Sequence, residues 1–316
     1  VISRREVVKY FLFAVSKMFG ETLLVVSMIL LGYGLYGAVS AFLTIRVIMF
    51  FAVLIYIMKK FGVKIPDFSL IKDYMRFGSP TVTSIISYGI VTSADRYVIG
   101  FFLGILFVGY YAPAYSLGML LLFFILPIVS ILSIALPKFF DENDFTTVKV
   151  YLSHSVKYFL LIMIPAVFGL STLAWPLLTV FSTKEIAMQS ATVVPFIATS
   201  MLMYGLTMFF FIILNLAKKT KIIAMIWGAT AVVNIVLNLV FTPTFGIISA
   251  AIITFISYLF ALLLMWYFAF KELQFNIDWL FVAKSVVSSI LMVLLIVLIN
   301  PKDLLGVIVS ILSGAI

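Results

Sequence analysis

Long apolar segments, separated by short polar turns, fill most of this sequence. Nine of them exceed the ~20 residues that a helix needs to cross a bilayer. They cover residues 10–32, 36–58, 79–103, 107–136, 155–175, 188–215, 222–242, 247–270 and 279–299. A membrane barrel would instead alternate apolar and polar residues in segments of about ten, which this chain does not do. Because every backbone polar group in lipid needs a partner, the pattern predicts an all-α, polytopic membrane protein.

The composition supports a membrane protein and excludes several kinds of site. Hydrophobic residues make up 65% of the chain and charged residues 10%, whereas soluble domains are about half apolar and a quarter charged. The chain has no cysteine and one histidine, His154, so we expect no disulfide, no metal site and no cofactor. A tenth apolar run, 303–316, is too short to cross the bilayer by itself, and since the chain begins with Val1 we expect it to be part of a longer protein.

The basic residues are distributed unevenly between the two sides of the membrane. Of the 21 Lys and Arg residues, sixteen fall on the side of the first residue, three fall within spans, and only Lys184 and Lys302 fall on the opposite side. Cytoplasmic loops carry the excess of Lys and Arg in membrane proteins. The distribution therefore predicts a multi-pass protein of the cytoplasmic (plasma) membrane, with a cytoplasmic N-terminus. The net charge of +9 is then explained by the membrane surface, without a nucleic-acid partner.

The longest loop, residues 59–78, carries its own pattern. Phe68, Ile71 and Met75 share one helical face, and charged residues fill the rest. This pattern is typical of an amphipathic helix lying on the cytoplasmic surface. A plain solvated linker is the alternative interpretation.

The sequence lacks the patterns of common enzymes. It contains no phosphate-binding G-x-x-x-x-G-K-[ST] loop, and its outer loops are too short and too poor in His, Asp and Glu for a catalytic site. The acidic residues Asp141, Glu142 and Asp144 lie in a loop and are expected to be a solvated surface feature. We therefore expect no enzymatic activity.

Apart from Lys157 and Lys284, which lie near span ends and are counted with the cytoplasmic side, five charged residues fall within the predicted spans: Lys17, Glu21, Arg46, Asp95 and Arg96. A charge at mid-membrane costs about 2.5–3.5 kcal/mol on insertion scales, and such residues normally face a bundle interior or a wet cavity. Three cations against two anions predict a slightly cationic cavity that suits a phosphate-bearing solute. The alternative is structural ion pairing, between Lys17 and Glu21 and between Asp95 and a neighbouring helix. Arg46 has no partner within its own span.

Two amides, Asn234 and Asn238, lie one helical turn apart in the seventh span. Polar side chains of this kind commonly hydrogen-bond across neighbouring membrane helices. We interpret both as helix-packing residues rather than substrate contacts.

The stretch 78–118 resembles a known family, the polysaccharide transporters of the multidrug/oligosaccharidyl-lipid/polysaccharide exporter superfamily. The motifs that carry the resemblance are Gly78 to Pro80, Asp95-Arg96, Gly100 to Gly104, and Gly109 to Tyr115. The segments 214–221 and 233–258 are similar to later parts of the family pattern, with Ser249 standing where many members have Gly.

The resemblance implies a domain organisation. Residues 1–58 would be the last two helices of a first six-helix lobe, and 59–78 the linker between lobes. Residues 79–270 would be the complete second lobe, and 271–316 extra C-terminal helices of which the last is truncated. The first four helices of the family core would then precede Val1.

The resemblance also implies a function. The leading hypothesis is a flippase that exports a lipid-linked oligosaccharide or polysaccharide precursor, as in lipopolysaccharide or exopolysaccharide production, by alternating access. Lys17, Arg46 and Arg96 would line the substrate cavity, and Glu21 or Asp95 would couple transport to an ion gradient. The expected partners are membrane lipids, the lipid-linked glycan and other polysaccharide-assembly membrane proteins. The alternatives are an ion-coupled drug or metabolite antiporter of the same superfamily, a membrane enzyme and a non-transporting scaffold.

The predicted orientation can be tested directly because the chain has no cysteine. A single cysteine at Lys184 should react with a membrane-impermeant maleimide on intact cells. A single cysteine at Lys149 should react only after the cells are permeabilised. The opposite pattern of labelling would contradict the orientation.

Overall fold

The computed structural model describes residues 7–62 and 71–299, and within these ranges it contains twelve helices and no strand. The helices are α1 (Val7–Leu30), α2 (Gly34–Phe61), α3 (Ile71–Phe102), α4 (Ile105–Met119), α5 (Leu122–Asp141), α6 (Phe145–Thr172), α7 (Ala174–Phe181), α8 (Lys184–Ser190), α9 (Val193–Leu216), α10 (Thr220–Phe245), α11 (Ile247–Glu272) and α12 (Trp279–Ile299).

Seven of the described helices are long and apolar enough to cross a membrane: α2, α5, α6, α9, α10, α11 and α12. Large apolar side chains cover much of their outer surface, as lipid contact requires. The prediction of an all-α polytopic membrane protein is therefore confirmed.

The predicted span 107–136 is wrong as a single helix, because the structure has two helices, α4 and α5, joined at Leu120 and Leu121. The backbone N–H groups of these two residues donate to carbonyls only three residues back, those of Leu117 and Gly118. This is the tighter geometry of a 3₁₀ turn. Pro127 lies in the second turn of α5 and has no N–H to donate, which weakens the helix just beyond the turn.

Two predicted segments fall partly or wholly outside the described residues. These are residues 63–70 of the linker 59–78 and the whole of the tenth run, 303–316. The described ends of the linker are helical, since α2 continues to Phe61 and α3 begins at Ile71.

The chain divides into two compact units, Val1–Ile71 and Lys72–Ile316. In the first unit, α1 and α2 form an antiparallel hairpin whose turn contains Gly32, with φ of 88°. This left-handed conformation is one that glycine adopts without steric cost. The second unit is built around α9, of which 67% is buried, the largest share among the described candidate spans. Helices α4, α5, α6 and α11 all pack against it.

Polar contacts at the membrane surface fix the ends of α6 and α12. Asp144 caps α6 by accepting the backbone N–H of Thr147 at 3.1 Å. At the start of α12, Asp278 accepts the backbone N–H of Phe281 at 3.0 Å and pairs with Lys157 of α6 at 3.0 Å. The N–H of Phe281 and the Lys157 ammonium both lower the pKa of Asp278. The ion pair therefore holds α12 against α6 at its charged end.

Close packing between α4 and α9 gives a test of the fold. A Cβ at Gly118 would lie 2.9 Å from Cβ of Ile197 and 3.3 Å from the backbone N of Ala198. We expect Gly118→Ala to destabilise the purified protein by about 1–3 kcal/mol, because neither atom can move without shifting α9. Thermal unfolding in detergent would measure the effect.

Gly109 provides the matched control on the same helix, since a Cβ there would meet no atom within 4 Å. We expect Gly109→Ala to leave stability unchanged or raise it slightly, through the better helix propensity of alanine. Equal unfolding temperatures for the two variants would contradict the packing of α4 on α9.

Candidate functional site

The hairpin of α1 and α2 carries a cluster of three charges. Glu21 Oε1 lies 3.8 Å from Nζ of Lys17, one turn back on α1, and 3.6 Å from Nε of Arg46 on α2. Arg46 therefore does have a carboxylate near it, on the neighbouring helix. Both distances exceed the ~3.2 Å limit of a good hydrogen bond, so the pairs are loose.

The charge cluster is unevenly exposed and keeps a net positive charge. The Glu21 side chain is 16% exposed, whereas that of Lys17 is 47% and that of Arg46 is 59% exposed. One carboxylate is shared by two cations, so one positive charge is left over. Because a guanidinium has five N–H donors and Glu21 takes none at hydrogen-bond distance, Arg46 keeps donors for an anionic ligand.

An open groove of about 370 Å³ lies beside Arg46 on the surface of the hairpin. Its wall is otherwise apolar and includes Val25, Val39 and Phe42, and the guanidinium carbon of Arg46 lies 5.0 Å from the Phe42 ring centroid. An apolar groove with one cation suits an amphipathic ligand that carries an anionic group.

In the second unit, Asp95 of α3 is fully buried. Its Oδ2 accepts a hydrogen bond of 2.6 Å from the hydroxyl of Tyr111 on α4, and its Oδ1 accepts the backbone N–H of Arg96 at 2.8 Å. A buried carboxylate is costly unless it is hydrogen-bonded in this way. Asp95 and Tyr111 thus join α3 to α4.

Adjacent residues lie about 100° apart around a helix, so the side chain of Arg96 lies on a different face from that of Asp95. Its Nη1 donates to the carbonyl of Thr92 at 3.2 Å, and its guanidinium carbon lies 4.2 Å from the Tyr115 ring centroid. Within the described ranges, Arg96 forms no ion pair with a carboxylate. A cation–π contact with Tyr115 holds it instead.

An aromatic cluster from five helices lies next to Asp95 and Arg96. Tyr88 of α3 stacks on Tyr204 of α9 with ring centroids 5.3 Å apart, and it packs edge-on against Trp227 of α10 at 5.3 Å. Tyr258 of α11 lies 5.4 Å from Tyr204. On α4, the rings of Tyr111 and Tyr115 are 5.7 Å apart.

The sequence interpretation missed these tyrosines. Tyr111 and Tyr115 are four residues apart in an apolar span, so they share a face, and a buried tyrosine hydroxyl usually needs a partner. The four-residue spacing of Tyr111 and Tyr115 is the sequence feature that could have identified this shared polar face.

A cavity of about 220 Å³ in the second unit ends at this aromatic cluster. Tyr88, Tyr204 and Trp227 form its inner wall, and Asn215 and Thr220 lie at the ends of α9 and α10. These two helix ends flank the basic loop of Lys218 and Lys219. The cavity therefore lies toward the lysine-rich side of the membrane.

The two amides of α10 take part in a buried polar network. Asn234 Nδ2 donates to Oγ of Ser257 on α11 at 3.0 Å, and Asn238 Nδ2 donates to the carbonyl of Asn234 at 3.0 Å. The hydroxyl of Thr242 donates to Oδ1 of Asn238 at 2.9 Å. The network links α10 to α11. Across the described residues, no group of three or more His, Cys, Asp or Glu side chains could hold a metal ion.

Comparisons with known proteins agree with this architecture. A family model described as "Polysaccharide biosynthesis protein" matches residues 5–186. A comparison with curated proteins finds no match.

Two solved structures share the fold. One is titled "Lipid II flippase MurJ, inward closed conformation", with a TM-score of 0.78 and 20% identity over 94% of this chain and 63% of that chain. The other is titled "Crystal structure of MATE in the straight conformation", with a TM-score of 0.58 and 17% identity over 81% of this chain and 61% of that chain. The chain thus spans less than two thirds of the length of either structure.

The hydrogen bond between Tyr111 and Asp95 can be tested with a matched pair of variants. Tyr111→Phe leaves the buried carboxylate without its side-chain donor, so we expect a loss of about 1–3 kcal/mol in stability. Tyr115→Phe on the same helix removes a buried hydroxyl that has no hydrogen-bond partner in the described part of the chain, so we expect little change. Thermal unfolding of both variants would measure the difference, and equal losses would contradict the role of Tyr111.

Proposed function

We propose that this chain, which belongs to the family of polysaccharide biosynthesis proteins, serves in a flippase that moves a lipid-linked oligosaccharide or polysaccharide precursor across the cytoplasmic membrane. The movement would follow alternating access, in which the transporter exposes its binding site to one side of the membrane at a time. The partners would be membrane lipids, the lipid-linked glycan and polysaccharide-assembly membrane proteins. The proposal assigns the chain no chemical reaction.

One observation carries the proposal most directly: Arg46 lies in the middle of a helix long enough to span the membrane, and its nearest carboxylate, Glu21, stays at 3.6 Å, beyond a good hydrogen bond. Placing an arginine at this depth is costly without a purpose. A lipid-linked sugar phosphate offers what the site lacks, because its phosphate oxygens accept the free guanidinium donors. Its lipid tail can remain among apolar side chains.

The other intramembrane charges take supporting roles in this proposal. Lys17 adds a second cation beside Arg46, and Arg96 supplies one in the second unit. Glu21 and Asp95 are the candidates for ion coupling. Asp95 is the stronger of the two because a fully buried carboxylate changes its interactions most when it gains a proton or a cation.

Asp95 also favours a second candidate function, an ion-coupled antiporter for drugs or metabolites. Such a transporter needs an acidic residue for coupling and an acidic cavity for a cationic substrate. The leftover positive charge of the cluster around Glu21 argues against a cationic substrate, so we place this candidate second.

We further propose the domain assignment that the family implies. Residues 1–58 would belong to the first lobe, 59–78 to the linker, 79–270 to the second lobe and 271–316 to additional C-terminal helices. The N-terminal end of this chain would face the cytoplasm.

Arg46→Ala, introduced into the native gene, tests the proposal. We expect export of the surface polysaccharide to fall roughly tenfold or more, because a charge-assisted hydrogen bond contributes about 1.5–3 kcal/mol. The lipid-linked precursor should accumulate in the cytoplasmic leaflet. Radiolabelled precursor and surface glycan would be quantified together with the amount of protein in the membrane.

Two further variants sharpen the result. Arg46→Lys keeps the charge but loses the planar donor set, so its defect should be smaller. Lys149→Ala removes an exposed lysine on α6 and should export normally. Wild-type export by Arg46→Ala at a normal protein level would remove Arg46 from the mechanism. Export of a cationic drug instead of a glycan precursor would support the antiporter.

A further inference from the structure

The 220 Å³ cavity of the second unit ends in a corner of aromatic rings. Tyr88 stacks on Tyr204, and the Trp227 ring stands at 80° to the Tyr88 ring with the two centroids 5.3 Å apart. All three residues line the cavity. The face of an aromatic ring is apolar but carries partial negative charge. The inner end of the cavity therefore suits a ligand with an apolar, slightly positive surface.

The indole of Trp227 also offers a hydrogen-bond donor that the protein does not use. Trp227 is 3% exposed, and its N–H donates to no other described residue. The fully enclosed side-chain atoms that lack a partner belong to other residues, so the indole nitrogen keeps contact with the cavity that Trp227 lines. Because buried polar groups are normally hydrogen-bonded, this free N–H indicates an acceptor inside the cavity.

Three more polar side chains of the cavity are available to a ligand. Those of Thr81, Asn215 and Thr220 form no hydrogen bond with other described residues. An amide supplies two N–H donors and an acceptor oxygen, and a hydroxyl can both donate and accept. The aromatic inner end thus has a polar margin that can bond to several ligand groups at once.

Charge limits the kind of ligand. None of the described residues that line the cavity is charged. Lys218 and Lys219 lie in the turn between Asn215 and Thr220, so positive charge stands beside the outer end of the cavity and repels cations. A neutral group inside the cavity, attached to an anionic group outside it, fits this distribution.

The size and the chemistry of the cavity together favour a sugar. Its volume is below the ~300–1,000 Å³ of pockets that hold drug-sized ligands, so it has room for one ring rather than for an oligosaccharide. A sugar ring carries C–H bonds on its faces and hydroxyl groups around its edge. The C–H bonds are slightly positive and pack on aromatic faces, while the hydroxyls can accept from Trp227 and bond to Asn215.

We propose that this cavity binds one neutral sugar ring of the glycan, packed against Tyr88 and Trp227 and hydrogen-bonded to the Trp227 N–H and Asn215. The inference rests on the flippase function proposed above. It adds the part of the substrate that the second unit recognises. The phosphate stays outside the cavity, on the side of the lysines.

Binding of free glycosides tests the subsite without any transport. The full chain would be placed in lipid nanodiscs, because many detergents carry sugar head groups. Methyl glycosides of neutral hexoses and N-acetylhexosamines would be added one at a time, and saturation-transfer NMR would show which of their protons contact the protein. We expect at least one glycoside to bind, with the strongest transfer to C–H protons of one ring face. Mannitol has similar hydroxyls but no ring and should receive little.

Variants connect the binding to this cavity. Asn215 is exposed, so Asn215→Ala should fold normally and bind the glycoside about threefold to tenfold more weakly, as for one lost neutral hydrogen bond. Trp227→Phe keeps a ring without the N–H and should weaken binding by a similar factor. Asn276→Ala is the matched control, because Asn276 is also exposed but lines no part of this cavity. It should bind as wild type does. The unfolding temperature of each variant would be measured alongside.

The outcomes separate the subsite from the flippase. No transfer to any glycoside, equal transfer to mannitol, or wild-type affinity in both Asn215→Ala and Trp227→Phe would overturn the subsite. Binding of tetraphenylphosphonium, a cationic aromatic probe, in place of every glycoside would overturn it and favour the antiporter. Lost export in Arg46→Ala without glycoside binding would leave the flippase and remove the subsite. Normal export in Arg46→Ala with Asn215-dependent glycoside binding would remove Arg46 and keep the subsite.

Discussion

A lipid bilayer offers no hydrogen bonds, so each polar side chain inside it must find a partner within the protein. This constraint governs how the chain treats its five intramembrane charges. In the hairpin of α1 and α2, one carboxylate, Glu21, is shared loosely by Lys17 and Arg46. In the second unit, Asp95 is satisfied by a neutral hydroxyl rather than by a cation. As a result, the Arg46 guanidinium of the first unit keeps free hydrogen-bond donors. The Asp95 carboxylate of the second unit has no ion pair.

In the flippase that we propose, these differences give the two kinds of group different roles. A guanidinium with free donors beside apolar side chains suits the recognition of a phosphate attached to a lipid. A buried carboxylate whose partner can either donate or accept suits a reversible change of charge. The polar network of Asn234, Asn238 and Ser257 does neither, since its amide groups bond to each other and to the neighbouring helix. It stabilises the contact of α10 with α11.

Much of the fold follows from the one-dimensional pattern, because a spanning helix needs a long apolar run and the chain provides them in order. The five intramembrane charges were also visible, since ionised residues stand out in such runs. The residues that these charges contact could not be predicted, because Glu21 and Arg46 approach each other only when α1 and α2 pack side by side. The aromatic cluster is hidden for the same reason: its members come from α3, α4, α9, α10 and α11, and aromatic residues are common throughout the chain. The break between α4 and α5 escaped notice because Leu120 and Leu121 are themselves good helix formers.

That break has a mechanical consequence. The turn at Leu120 and Leu121 divides one apolar segment into two helices with different packing partners. Helix α4 packs against α8 and α9, whereas α5 packs against α6 and α9. In the first half of α4, the hydroxyl of Tyr110 donates a hydrogen bond of 2.6 Å to the carboxylate of Glu185 on α8. Helix α4, which carries Tyr111, is therefore joined to α5 only through a two-residue turn. A tilt of α4 by a few degrees would move the Tyr111 hydroxyl out of its 2.6 Å hydrogen bond with Asp95. The orientation of α4 and the charge on Asp95 are therefore linked.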